Sequence, residues 1–377
     1  MCADRRTSSA YLVDRSGTRY ELTDARWRGA DGSPLAVSPL PGLTPADIVV
    51  GERSLWRYAP VIPVDQRHRI SLGEGATPMP LLDWGENRVH FKLEWFNPTA
   101  SFKDRGVSVM MSHLRSQGAQ AVLEDSSGNG GSSVAAYAAA AGVHATILVP
   151  EATSASKVVQ ARAHGAELVF VSGTRDDVGD EAIQRSTRIP YASHNWHPMF
   201  VQGVKTIGYE IWEALGFNSP DNIVVVAGSG SLVLGCDLAF TELLSAGAID
   251  RRPRLLVGQP RDWAAIADTV NRIHQTGQRA PTMAEGAAIA RPVRLPEVVA
   301  AIGRSAGAAV AVTEDEIVSA LRALASRGLF VEPTSAVAAA ALDRFISDGI
   351  IRRSETTVVV LTGTGAKTSD RIAAVVG

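Results

Sequence analysis

Four segments of this 377-residue chain combine residue types that can hold an anion or bond covalently to a ligand. Gly228-Ser229-Gly230-Ser231-Leu232 follows the apolar run Ile223–Val226. Glycines let a chain turn tightly and aim successive N–H groups into one concavity, and a helix starting there adds partial positive charge, which together hold a phosphate. Val233 stands where a dinucleotide fingerprint needs a third glycine. An ordinary strand–helix turn has the same composition. Ser126-Ser127-Gly128-Asn129-Gly130-Gly131 offers a second such turn, suited to a carboxylate, with the Asn129 amide available to a ring hydroxyl. Ser and Asn are equally at home as helix N-caps. In Asn97–Gly106, Lys103 follows Trp95, Phe96 and Phe102. An apolar setting would favour the neutral, nucleophilic amine over a solvated ammonium beside Asp104. Leu361-Thr362-Gly363-Thr364-Gly365 places two hydroxyls after an apolar run, and α/β sheets bind ligands at strand C-termini.

Taken together, these segments describe one ligand with a phosphate, a ring and a carbonyl for lysine. Pyridoxal phosphate (PLP) acting on an amino acid fits that description.

The elements that must position these residues alternate. Strands are expected at Ala121–Leu123, His144–Val149, Glu167–Ser172, Asn222–Ala227 and Thr356–Leu361, and helices at Ser132–Ala141, Ser156–Ala163 and Val204–Leu215. Gly142 supplies a helix stop, and Thr313 with Glu316 forms a capping box ahead of Ile317, Leu321 and Leu324. Strands alternating with helices imply right-handed crossovers and parallel sheets. Continuous Val/Ile/Leu runs imply strands buried on both faces. Residues 1–70 show only short extended pieces, Tyr11–Val13 and Thr18–Leu22, and read as an N-terminal extension without its own core.

Composition narrows the function. Lys and Arg number 37 against 39 Asp and Glu, and 45% of residues are apolar. A large core is expected, and a nucleic-acid partner is not. Cys2 and Cys236 cannot build a disulfide framework or a four-cysteine metal site, and they suit a reducing compartment. No run reaches the length of a membrane span, and the first residues lack the apolar core of a signal peptide. The expectation is a soluble cytoplasmic protein.

The order of the motifs resembles the threonine synthases and threonine synthase-like members of the fold-type II, tryptophan synthase β superfamily of PLP enzymes. Asn97–Gly106 (NPTASFKDRG) is similar to their lysine motif, with Ala100 where Gly is usual, and Leu361–Lys367 (LTGTGAK) to their C-terminal segment. Leu72–Pro78, Val149–Glu151, Gly203–Thr206 and Val331–Ser335 match in order, so the likeness spans about residues 55–370. The resemblance implies two three-layer α/β domains with mostly parallel sheets plus a short N-terminal extension. Residues 71–105 with 206–377 would form the large PLP-binding domain, 106–205 the small domain, and 1–70 a degenerate knuckle.

It also implies roles. Lys103 would form the Schiff base with PLP and shuttle protons. Asn129 would bond the ring 3′-oxygen, Gly228, Ser229, Gly230, Ser231 and Leu232 would hold the phosphate, and Thr362 would bond the pyridine nitrogen. Ser127, Gly128, Asn129 and Gly130 would clamp the substrate carboxylate. The implied reaction converts O-phosphohomoserine and water to L-threonine and phosphate. The alternatives are β-replacement on O-phosphoserine, as in cysteate synthase, and serine or threonine dehydration. A phosphorylated substrate needs a second anion site, for which Lys157, Arg162, His194, Asn195 and Lys205 are candidates. Val13–Leu35 lacks the Cys-x-x-Cys pairs of many relatives, so no metal is expected there. A homodimer is expected. His194–Pro198 departs from the Asn-Pro-rich segment of phosphohomoserine users and is closer to that of threonine synthase-like paralogues.

Overall fold

The computed structural model describes residues 10–274 and 279–376. Cys2 lies outside them. The chain forms two compact α/β units: Met1–Gly75 with Asn97–Thr99 and Lys103–Thr206, and Ala76–Phe96 with Ala100–Phe102 and Ile207–Gly377.

The first unit is built on a parallel sheet of Ala121–Glu124, His144–Pro150 and Glu167–Val171, in that spatial order. Alternation along the strands gives the sheet two faces. Leu123, Leu148, Val169 and Val171 meet Val178 and Ala182 of the Arg175–Arg185 helix. Ile147 points the other way, towards the Asn129–Ala141 helix, where a Cβ on Gly131 would stand 3.0 Å from its Cγ2. That helix ends as expected at Gly142, with a φ of 67°.

Residues 10–75 supply Leu12, Leu35, Trp56 and Tyr58 to the buried interior of this unit. They include a small antiparallel sheet of Tyr11–Val13, Arg19–Glu21 and Ala36–Val37. Its turns are tied by Asp14, whose Oδ2 accepts from the Tyr20 hydroxyl at 2.6 Å and whose Oδ1 accepts from Ser16 Oγ at 2.7 Å and Thr18 N at 2.9 Å. Hydrogen bonds to one carboxylate thus organise this segment. Ser108 is fully buried. Its hydroxyl lies 2.6 Å from Glu74 Oε1 and 2.8 Å from Ile70 O, one of which takes its single proton, and accepts from Trp56 Nε1 at 3.1 Å.

The second unit carries a six-stranded sheet ordered Ala308–Val312, Arg254–Pro260, Asn222–Val226, Thr357–Leu361, Asn87–Leu93 and Leu81–Trp84. All pairs are parallel except the last, which is an antiparallel hairpin. Every residue of Asn222–Val226 and Thr357–Leu361 is buried, as their unbroken apolar runs require. One face packs Phe91, Val224, Leu256 and Val359 against the Ala-rich helix Pro333–Ser347. The small side chains allow close approach: a Cβ on Gly258 would stand 2.7 Å from Ala341 Cβ. The Thr313–Glu316 capping box forms, with Glu316 N donating to Thr313 Oγ1 at 3.1 Å and Thr313 N to Glu316 Oε2 at 2.7 Å.

The helix expected over Val204–Leu215 forms over Thr206–Ala214, set off by a break at Lys205 from a preceding helix, Pro198–Val204. Gly203 presses so closely on the Arg105 carbonyl that a Cβ there would lie 1.9 Å from its oxygen. The Thr206 hydroxyl donates to Gly203 O at 2.7 Å and accepts from Arg105 Nη1 at 3.2 Å, which fixes the break. Among the described residues no helix is long and apolar enough to cross a membrane.

Candidate active site

In the first unit Lys103 opens the helix Lys103–Ser116, and its neighbour Asp104 anchors it. Asp104 is fully buried and accepts from Thr99 N, Thr99 Oγ1 and Ser133 Oγ, each at 2.6 Å. The carboxylate therefore ties the Asn97–Thr99 strap and the Asn129–Ala141 helix to the start of the lysine helix. Asn97 Oδ1 accepts from Gly75 N at 2.9 Å, which secures the strap's other end. Lys103 itself is only partly buried. The aromatic ring facing it is Phe200, 5.4 Å from Nζ to the ring centroid. Phe200 fits against Gly106, where a Cβ would stand 2.3 Å from the ring. Phe96, expected from sequence to shield the lysine, is 60% exposed. The apolar neighbour comes from 97 positions along the chain, a distance no local pattern spans.

Ser127, Gly128, Asn129 and Gly130 form the entry to the Asn129–Ala141 helix. Gly128 is its N-cap and no side chain caps it, so first-turn N–H groups face outward, which suits a carboxylate. Gly131 is obligatory: a Cβ would lie 1.9 Å from Ser126 O. Beneath Gly130, His194 Nδ1 lies 2.5 Å from Glu124 Oε1. Burial holds the His194 imidazolium well below its usual range, with positive Lys103 and Arg175 acting in the same sense. Burial therefore weighs against His194 serving as a cation for a second anion. Lys205 is fully buried, with Nζ donating to Gln202 Oε1 at 2.7 Å. Arg162 is exposed on the Ala155–Ala163 helix.

In the second unit, Gly228–Gly230 turns from the Asn222–Val226 strand into the helix Ser231–Ser245. Gly230 is that helix's N-cap at a φ of 88°, again without a side-chain cap. A Cβ at Gly230 would stand 2.3 Å from Val298 Cγ2, and one at Gly228 2.8 Å from Gly286 O. Both positions admit only glycine, and the uncapped N–H groups of Ser231 and Leu232 converge at the turn, a cradle that fits a phosphate. Thr362 follows the central strand Thr357–Leu361 and is 2% exposed. Its hydroxyl donates to Glu332 Oε1 at 2.7 Å and lies 2.8 Å from Ser335 Oγ. Glu332 and Ser335 carry no role in the sequence reading. Their signal was the Val331–Ser335 motif, noted there for its order alone. Ala100 has a φ of 62°, the left-handed conformation that glycine favours.

A family model for pyridoxal-phosphate-dependent enzymes matches residues 70–363. The threonine synthase of Methanocaldococcus jannaschii is 34% identical over 331 residues, covering 85% of this chain and 82% of that protein. The threonine synthase of Mycobacterium tuberculosis is 32% identical over 321 residues, covering 81% and 88%. Among solved structures, the processed form of threonine deaminase isoform 2 from Solanum lycopersicum is similar with a TM-score of 0.69 at 22% identity, covering 92% of this chain and 98% of that one. Maize serine racemase is similar with a TM-score of 0.65 at 22% identity, covering 77% and 88%. The structural likenesses carry the fold, and the sequence likenesses the family. The chain belongs to the pyridoxal-phosphate-dependent enzymes of fold type II and is a PLP-dependent lyase similar to the threonine synthases.

Proposed function

We propose that this lyase converts O-phosphohomoserine to L-threonine and phosphate, with Lys103 as its catalytic lysine. The observation that carries this reading is the likeness to threonine synthases over 85% of the chain, with the lysine, glycine-cradle and C-terminal motifs in one order. PLP, when bound, supplies an electron sink for charge developing at the substrate Cα. The chain's residues do the rest. Lys103 holds the cofactor and moves protons at Cα and Cβ. Gly228 to Leu232 hold the phosphate through backbone N–H groups, and Asn129 orients the ring through its 3′-oxygen. Thr362 would meet the ring nitrogen by turning towards it the hydroxyl proton that it otherwise gives Glu332 Oε1. Ser127 to Gly130 orient the substrate carboxylate on the helix N-terminus. On this reading the second unit is the PLP-binding domain, and the enzyme works as a cytoplasmic homodimer.

A second reading is favoured by the buried His194–Glu124 contact, which engages one of the groups offered for a leaving phosphate. Dehydration of serine or threonine needs no such site. A substrate panel separates the two. O-Phosphohomoserine is expected to release phosphate and give threonine faster than L-serine or L-threonine releases ammonia. Dominant ammonia release would replace the first reading with the second. Sulfite consumption with O-phosphoserine would replace both with β-replacement.

A further inference from the structure

The second unit carries a cavity of about 450 Å³ that the proposed chemistry does not use. Trp84, Gly85, Ala323, Arg327, Asp343 and Ile346 are among its lining residues. Trp84 and Gly85 belong to the hairpin of Leu81–Trp84 and Asn87–Leu93. The other four sit at or just past the C-terminal ends of the helices Glu314–Ala325 and Pro333–Ser347. Asn87–Leu93 runs parallel to Thr357–Leu361, with Leu93 opposite Leu361. One strand length, about 20 Å, thus separates the cavity from Thr362. Its volume falls within the range of small-molecule sites, about 300–1,000 Å³.

Two opposite charges are fixed on one indole there. Trp84 is 5% exposed, and its Nε1 donates to Asp343 Oδ1 at 2.5 Å. The Arg327 guanidinium lies over the same ring, 4.6 Å from Cζ to the centroid. Arg327 is held in that place by Nε donating to Asp83 O and Nη1 to Ala323 O, both at 2.8 Å. Among the described residues, Arg327 Nη2 and Asp343 Oδ2 make no hydrogen bond, and the two side chains form no ion pair with each other. Both are exposed, so a ligand can reach them. The indole's own contacts therefore hold a cation and an anion apart, each with a free edge at one cavity. A molecule carrying a carboxylate and an ammonium on one carbon complements both edges, because guanidinium donors match a carboxylate and a carboxylate accepts from an ammonium. Ala323 and Ile346 add an apolar wall for an aliphatic side chain.

We propose that this cavity is a binding site for the zwitterion of an aliphatic α-amino acid, separate from the residues that hold PLP, with Arg327 on its carboxylate and Asp343 on its ammonium. Trp84 positions both. The inference goes beyond the proposed reaction and does not depend on which substrate that reaction takes.

The test is calorimetric titration of the full-length PLP-loaded protein with L-leucine, after borohydride reduction so that no amino acid bonds to the cofactor. The wild type is expected to bind L-leucine saturably. It should bind 3-methylbutylamine and 4-methylpentanoate, which each lack one of the two charges, about tenfold more weakly or worse. Arg327→Gln and Asp343→Asn, the latter keeping an acceptor for Trp84 Nε1, should each weaken L-leucine binding by about tenfold or more. No saturable binding of L-leucine, equal binding of either single-charge analogue, or undiminished binding in either variant would overturn the proposal. Should the variants not fold, the comparison of L-leucine with its two analogues on the wild type decides.

Discussion

The Thr362 hydroxyl donates to Glu332 Oε1 at 2.7 Å, so the side chain at the C-terminal end of the central strand is held from behind by a buried carboxylate. Thr362→Val keeps the shape and removes the donor, leaving that oxygen short of a partner. The variant is expected to lose about 1–3 kcal/mol of stability. Thr362→Ser should retain most of it. Urea denaturation of the three proteins checks this, and equal stability of Val and wild type would contradict it.

Gly230 and Gly303 make a matched pair. At Gly230 a Cβ meets Val298 Cγ2 at 2.3 Å and φ is 88°, whereas nothing lies within 4 Å of a Cβ at Gly303. Gly303→Ala, near the end of the helix Leu295–Arg304, is expected to be neutral or to stabilise by up to about 1 kcal/mol. Gly230→Ala should destabilise by about 1–3 kcal/mol and weaken PLP binding, since it strains the backbone and displaces the cradle. Equal PLP affinity in the two variants, measured by fluorescence titration, would remove the phosphate role from Gly228–Leu232.

Ala100 at a φ of 62° pays for a conformation that glycine adopts freely. Relief of that strain, about 1–2 kcal/mol, is set against about 0.5–1 kcal/mol of extra chain entropy in the unfolded state. Ala100→Gly is therefore expected to raise stability by up to about 1 kcal/mol, and Ala100→Val to lower it. Thermal unfolding of both variants decides, and a destabilising glycine would contradict the account.

The legible parts of the molecule were those governed by local physics. Unbroken apolar runs marked Asn222–Val226 and Thr357–Leu361 as doubly buried strands, Gly142 marked a helix end, and Thr313 with Glu316 marked a helix start. Glycine spacing likewise marked the turns at 128–131 and 228–230. What escaped depends on partners far away in sequence. Residues 10–75 have no period because their buried side chains sit on turns and 3₁₀ segments such as Leu55–Val61. The break at Lys205 follows from contact between Gly203 and Arg105. Glu124 did leave a signal, a carboxylate closing an apolar strand before a Gly/Ser turn, but its partner His194 lies 70 positions on.

His113 gives the fold a pH dependence. It is 6% exposed, and burial lowers its pKa from 6.5 to about 4. Between those values the unfolded chain takes up a proton that the folded chain refuses, so stability falls on acidification through this window. From about pH 7 to about pH 5 the loss attributable to His113 is on the order of 2 kcal/mol. Urea denaturation of wild type and His113→Leu at the two pH values tests this. The variant should lose less stability than the wild type by about that amount, and parallel losses would contradict it.

The central claim is that Lys103 carries the cofactor, and borohydride reduction of the yellow, PLP-loaded protein followed by peptide mapping tests it most directly. The account predicts a single pyridoxyl adduct on the peptide containing Lys103, absent from Lys103→Ala. An adduct on any other lysine of the wild type, or an undiminished adduct in Lys103→Ala, would contradict it.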